Sequence, residues 1–167
     1  MKIEDNFLEQ TAFNELQAFM METDLSWFYN SYIVDENVEE KNFQFTHTFY
    51  RYNTPQSSHY PKMLPIIDKL GLHSIAKIKS NLLTRTSNIV KHTFHIDMPN
   101  MSKEKLKHWT TSIFYMNSNN GYTEFEDGTK VESIANRMVI FSSNLKHRGT
   151  SCTDEKTRVV INFNYFK

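Results

Sequence analysis

Cysteine is nearly missing from this chain. Cys152 is the single one among 167 residues, so no internal disulfide can form. A reactive thiol needs a setting that nothing around Cys152 supplies, so it is read as an ordinary residue. Glycine and proline are scarce too, at four each, and no Pro/Gly-rich linker, low-complexity tract or repeat divides the sequence. Charge of one sign is not in excess, since Lys+Arg and Asp+Glu both number 19. Binders of nucleic acid or of membrane surfaces usually carry a basic surplus, so only a local patch is left as a route to such partners. No apolar run approaches the 18 residues of a membrane span. The opening MKIEDNFLEQTAF lacks the basic and apolar regions of a signal peptide. These absences lead to the expectation of one soluble, cytoplasmic domain over residues 1–167.

Bulky apolar matter is plentiful, with 13 Phe and 14% aromatic residues. Residues 7–22 place Phe13, Leu16, Phe19 and Met20 at helical spacing. A second short helix fits 61–71, stopped by Gly71. Between them FQFTHTFYRY alternates like a strand. From residue 74 onward nearly every segment reads as strand: SIAKIKSNLL, VKHTFHIDM, HWTTSIFYMN, YTEFE, TKVES, RMVIFSS and TRVVINFNYF. Turn signals separate them, and Asp127-Gly128 predicts a two-residue hairpin. Helices followed by many short strands imply an α+β, mainly β protein, a sandwich with N-terminal helices packed on one face. The cluster Trp27, Phe28 and Tyr29 reads as core, and Lys103, Lys105 and Lys107 as a solvated loop. Residues 51–62 fit either an ordinary connection or a loop covering a substrate.

Side chains two apart on a strand share a face, so His95 and Asp97 in VKHTFHIDMPN point together. An imidazole and a carboxylate side by side make two arms of a metal site, although the pair alone recurs by chance. His147 follows RMVIFSS at a strand end, where a sandwich can return it to His95. Two His and one carboxylate form the facial set used by non-haem iron(II) oxygenases. Arg158 opens the last strand and shares a face with Val160, Asn162 and Asn164, while Val159, Ile161, Phe163 and Tyr165 share the other. A guanidinium facing an interior requires an anionic partner. Tyr115, in SIFYMN, is placed to offer its hydroxyl to the same anion. His47, His59, His73 and His108 read as surface or packing residues.

The order His-x-Asp, about fifty residues, His, then about ten, Arg, resembles the 2-oxoglutarate- and Fe(II)-dependent oxygenases, and within them the prolyl 4-hydroxylase-like group. HIDM, SIFYMN, NGYTEFEDG and the closing ANRMVIFSSNLKHRGT and TRVVINFNYF are similar to that group's strands, with Tyr122 where a second glycine often stands. The similarity covers about residues 75–167. It implies a double-stranded β-helix (jelly-roll) core over 73–167, after a helix-rich lead-in over 1–72. It also implies Fe(II) on His95, Asp97 and His147, and 2-oxoglutarate with its distal carboxylate on Arg158 and Tyr115. His92 stands where relatives often carry a tyrosine that touches the cosubstrate, and Asn81 where they place a polar side chain facing the site. O2 and ascorbate complete the implied cofactors.

The reaction so implied hydroxylates a C–H bond of a prolyl-type peptide or a small molecule and releases succinate and CO2. Two other readings stand beside it. One is a nucleic-acid-modifying dioxygenase, which a basic groove near His95 would favour and an uncharged rim would disfavour. The other is a catalytically silent β-sandwich that binds a partner, which the loss of any ligand would favour. Nothing in the sequence sets the oligomeric state.

Overall fold

The computed structural model describes residues 1–22, 25–34 and 42–167. The chain runs β1 (Lys2–Glu4), α1 (Gln10–Met21), β2 (Phe28–Asn30), β3 (Gln44–Arg51) and β4 (Thr54–Pro55). A 3-10 turn (Tyr60–Met63) leads into α2 (Leu64–Leu70), then β5 (Ser74–Thr84) and the one-turn α3 (Lys103–Leu106). The remaining strands are β6 (Trp109–Tyr115), β7 (Tyr122–Phe125), β8 (Lys130–Glu132), β9 (Arg137–Ser142), β10 (His147–Gly149) and β11 (Thr157–Phe166). The larger sheet has the order β1-β9-β6-β11-β5-β3-β2, with β4 on β3, and the smaller has β10-β7-β8. Every strand pair is antiparallel. The larger sheet draws strands from both sides of residue 72, so the lead-in contributes β1–β4 as well as its helices.

Alternation along β11 divides the molecule into two layers of core. Val159, Ile161, Phe163 and Tyr165 face outward and are covered by α1 and α2 through Phe13, Leu16, Phe19, Met20, Ile66 and Leu70. That is the apolar stripe expected from helical spacing. Truncating a fully buried ring such as Phe163 to alanine would cost about 3–5 kcal/mol. Val160 faces inward, with Ile113, Tyr115, Val139 and Phe141 of the larger sheet against Phe125 and Val131 of the smaller. Two facing sheets with helices on one outer surface are the jelly-roll arrangement expected. α2 ends at Gly71 with φ +64°, a left-handed conformation that a side chain would strain. No helix among the described residues is long and apolar enough to cross a membrane.

Four local expectations need correction. Residues 90–98 do not form a continuous strand; they touch the smaller sheet through isolated bridges, Lys91 to Thr150 and His95 to His147. The β7–β8 connection is a three-residue loop closed by Phe125 N–H donating to Thr129 O, with Gly128 at φ +87°. The glycine therefore serves a left-handed bulge position and not a two-residue turn. Phe28 and Tyr29 lie exposed on the edge strand β2, and only Trp27 packs against the core. The lysine run is solvated as expected, but it begins in helix α3, where Ser102 Oγ accepts from Lys105 N–H at 3.4 Å. His47 is buried, its ring nitrogens 2.7 Å from Ser26 O and 2.9 Å from Ser57 Oγ, in keeping with a packing role.

Candidate active site

The inner faces of β5 and β11 and the smaller sheet enclose one cavity, and the chemistry-bearing residues converge on it. At one end stand His95, Asp97 and His147, whose ligand atoms all lie within 4.8 Å of one another. The backbones of His95 and His147 exchange both N–H···O bonds, at 2.9 and 3.0 Å, so the two imidazoles stand side by side. Arg148 secures this pairing from the outer face. Its guanidinium grips Glu124 across the β10–β7 ladder at 2.7 and 2.8 Å and stacks 4.1 Å from the Phe94 ring. The irregular segment before His95 is thus pinned by a charged fork and a cation–π contact.

Protonation at this end is set by the neighbours. His95 Nδ1 lies 3.1 Å from Thr93 O and His147 Nδ1 3.3 Å from Leu145 O, contacts that place the ring proton on Nδ1. Each Nε2 then points inward, 3.4 Å (His95) and 3.6 Å (His147) from Asp97 Oδ1, where it bonds the carboxylate when protonated and offers a lone pair when not. The other carboxylate oxygen, Oδ2, accepts from Asn164 Nδ2 at 2.9 Å and Asn162 Nδ2 at 3.4 Å, which fixes the carboxylate's orientation. Burial alone would raise the Asp97 pKa, but the His95 hydrogen bond and the charges of His147 and Lys77 hold it well below the usual carboxylate range. Burial lowers His147, with Asp97 opposing. Burial also acts to lower His95, but the Asp97 contact outweighs it and the net shift is upward.

At the other end Arg158 is buried with 2% exposure. Its Nε donates to Ser133 Oγ at 2.8 Å and its Nη2 to Thr123 Oγ1 at 3.3 Å. No carboxylate pairs with it among the described residues. Burial lowers its pKa, and Tyr115 and Cys152 oppose this. Two glycines make room for the side chain. A Cβ on Gly121 would stand 2.7 Å from Arg158 Cδ and 2.7 Å from Ser151 O, and one on Gly149 3.4 Å from Arg158 Nη1. A guanidinium so desolvated, with donors to spare, calls for an anion.

Tyr115 takes a different place from the one expected. Its ring centroid lies 5.7 Å from the Arg158 guanidinium, but its hydroxyl donates to Thr123 Oγ1 at 2.8 Å, and Thr123 forms the cavity wall in front of it. Thr123 accepts from both Tyr115 and Arg158, which leaves its own proton to donate. His92 and Asn81 line the cavity as well. Burial, followed by the charges of Arg158 and His95, lowers the His92 pKa to about 4, so the ring is neutral. Residues 51–62 do not line the cavity; Ile33 and Gln44 do. Sequence reasoning missed Thr123, Ser133, Lys77 and Lys79. For the lysines the signal was available, since they alternate with Asn81 along β5.

Five buried side-chain atoms among the described residues lack a hydrogen-bond partner: Asn81 Oδ1, His92 Nε2, His147 Nε2, Asn162 Oδ1 and Asn164 Oδ1. All five line or border this one cavity, and no other buried side-chain nitrogen or oxygen among the described residues lacks a partner. The cavity is built to receive a polar ligand. Two imidazoles and an ionised carboxylate, without a thiolate, suit a divalent iron site.

The family model described as the 2OG-Fe(II) oxygenase superfamily matches residues 83–166. No curated protein matches the chain. Among solved structures, a prolyl hydroxylase from Trichoplax adhaerens in complex with a hypoxia inducible factor peptide fragment superposes with TM-score 0.70 at 14% identity, covering 99% of this chain and 82% of that one. A Pseudomonas putida prolyl-4-hydroxylase gives 0.60 at 14%, covering 99% and 92%. HygX from Streptomyces hygroscopicus, with nickel and 2-oxoglutarate bound, gives 0.63 at 9%, covering 98% and 81%. At such identities these structures speak for the fold. With half of its length matched by the family model, and the fold shared throughout, the chain belongs to the 2OG-Fe(II) oxygenase superfamily of enzymes.

Proposed function

We propose that this chain hydroxylates a C–H bond of a peptide or small molecule, consuming 2-oxoglutarate and O2 and releasing succinate and CO2. In this reading His95, Asp97 and His147 hold Fe(II), and Arg158 binds the distal carboxylate of 2-oxoglutarate. The observation that carries it is the pairing of a buried guanidinium, without a carboxylate partner, with three converging ligand atoms at the opposite end of one cavity. A dicarboxylate that also binds a metal satisfies both ends at once.

The iron supplies O2 activation when bound; the protein's part is placement and exclusion. Asn162 and Asn164 keep Asp97 turned toward the two imidazoles. Thr93 O and Leu145 O hold both rings in the tautomer that offers Nε2. Thr123 and Ser133 hold the Arg158 fork from two sides, and Gly121 lets it lie flat. Neutral His92 and Asn81 offer polar atoms to the middle of the cosubstrate without adding a charge. A peptide substrate is favoured by likeness to the prolyl hydroxylases, and a small molecule by likeness to structures such as HygX with hygromycin B bound.

The test is turnover with iron content measured in parallel. Wild type should bind about one Fe(II) and convert 2-oxoglutarate to succinate, slowly alone and faster with substrate. Asp97→Ala should lose most of both, and Asp97→Glu should keep some iron but little hydroxylation, because the oxygens move by about 1.5 Å against a tolerance of about 0.5 Å. Full activity in Asp97→Ala would remove the metal assignment.

A further inference from the structure

The cavity carries more positive charge than its cofactors can neutralise. Lys77, Lys79 and Arg158 line it, and Asp97 is the one carboxylate that does so among the described residues. A divalent metal and a 2-oxoglutarate dianion cancel each other, so loading both leaves three cations against one carboxylate. Arg158 is accounted for by the cosubstrate; the two lysines are not. Register shows where they stand. Lys77 lies opposite Asn164 and Lys79 opposite Asn162, the two asparagines that hold Asp97, whereas Arg158 lies opposite Leu83. Lys79 is therefore level with the metal ligands and about 13 Å along the sheet from Arg158, too far to share the cosubstrate's distal carboxylate.

Asp97 is the one carboxylate lining the cavity among the described residues whose charge reaches the two lysines, and its side chain is already engaged by Asn162, Asn164 and the imidazoles. Lys77 Nζ reaches only the backbone oxygen of Asp97, at 3.4 Å, and Lys79, half-buried, makes no hydrogen bond or ion pair with the described residues. Arg51, opposite Lys77 on β3, adds further positive charge. Burial, and then Lys77, push Lys79 down to about 8, with Asp97 opposing and Arg51 adding to the fall. A partly buried ammonium is retained at such a cost where an anion comes to meet it. Resting on the oxygenase reading above, we propose that the substrate is a small molecule carrying a carboxylate or phosphate group, and that Lys79, assisted by Lys77, binds that group beside the metal site. A nucleic-acid strand fits less well. Binding to a strand draws on stacking aromatics, and no Phe, Tyr or Trp among the described residues lines the cavity. It also draws on a long cationic track, and the chain's net charge is zero.

The test separates lysine binding from turnover. With 15N-labelled protein holding Zn(II) and saturating 2-oxoglutarate, so that Arg158 is occupied, inorganic phosphate and acetate are titrated while the lysine Nζ resonances are followed. Lys77→Gln and Lys79→Gln assign the signals. The expected result is a saturable shift at Lys79 with Kd of about 1–10 mM for one of the two anions, which also tells phosphate from carboxylate. Lys79→Arg should keep binding and Lys79→Gln should lose it. Succinate release is then measured with matched pairs: amino acids against their amides, and nucleoside monophosphates against nucleosides. The anionic member should stimulate at least about 10-fold more in wild type, and its KM should rise about 10-fold in Lys79→Gln while the KM for 2-oxoglutarate stays within about 2-fold. No saturable shift up to about 100 mM, or a neutral best substrate, overturns the proposal, and preferential stimulation by oligonucleotides overturns the small-molecule assignment. If the protein binds neither Zn(II) nor 2-oxoglutarate, the oxygenase reading fails instead, and the same titration on metal-free protein still decides the role of the lysines.

Discussion

Arg158 and His95 reach the same cavity from opposite kinds of backbone. Arg158 sits on β11, a ten-residue strand paired on both sides, and its side chain is walled in by two glycines and two hydroxyls. His95 sits on a segment with only two isolated bridges to the smaller sheet, held by the Arg148–Phe94 stack. The arginine end is thus rigid by lamination, and its weak point is crowding. The metal end is rigid only through a few specific contacts, and its weak point is their removal. In the proposed reading, a site that passes substrate and O2 past a metal held by His95, Asp97 and His147 would gain from having the looser construction at that end.

The largest effect that would break this contrast comes from Gly121→Ala. The added methyl would meet Arg158 Cδ and a backbone oxygen at 2.7 Å, and the backbone oxygen cannot swing away. The arginine should move, 2-oxoglutarate affinity should fall by about 10- to 100-fold, and stability by about 1–3 kcal/mol, while metal affinity holds. Calorimetric titration of both ligands checks this, and equal loss of both would mean that the ends are not independent.

Phe94→Ala should do the reverse with a smaller effect. It removes the ring under Arg148 and frees the His95 segment, so metal affinity should drop about 10-fold. Binding of the distal carboxylate should be spared, and competition with a chromogenic chelator measures the metal arm. Unchanged metal affinity would show that the backbone bridge alone positions His95.

The smallest effect is a pH dependence at the middle of the cavity. His92 titrates near 4 in the folded chain, below the 6.5 of an unperturbed histidine, so the fold binds fewer protons there than the unfolded chain does. Its contribution to stability is complete above about pH 6.5 and is lost as the pH falls from 6.5 toward 4. Wild type should therefore lose Tm more steeply over that window than His92→Gln, by an amount on the order of 2–3 kcal/mol at most. Parallel Tm-against-pH curves for the two proteins would rule this out.

The same contrast explains what the sequence made legible. The β11 alternation could be read directly, because a long strand between two sheets of core imposes a strict period of two and a buried arginine stands out within it. The α1 stripe of Phe13, Leu16, Phe19 and Met20 was equally plain. His95, Asp97 and His147 were recognised through their order, yet the argument from a regular strand was not how the fold brings them together. A backbone bridge and Arg148 do that, and both are long-range contacts with no local signature. Thr123 in front of Tyr115 was hidden for a related reason, since which of two hydroxyls faces a cavity depends on packing across the sheets. Phe28 and Tyr29 misled because their aromaticity suggests core, whereas strand order places them on an edge.

One binding experiment addresses the two-ended cavity most directly. 2-Oxobutyrate keeps the 1-carboxylate and 2-oxo group of 2-oxoglutarate but lacks the distal carboxylate. Calorimetry on metal-loaded, oxygen-free protein compares the two acids in wild type, Arg158→Lys and Arg158→Ala. Wild type should prefer 2-oxoglutarate by at least about 100-fold, Arg158→Lys should keep part of that preference, and Arg158→Ala should bind the two acids within a few-fold, because the guanidinium fork is what reads the missing group. An undiminished preference in Arg158→Ala would contradict the account and assign the far carboxylate to another residue.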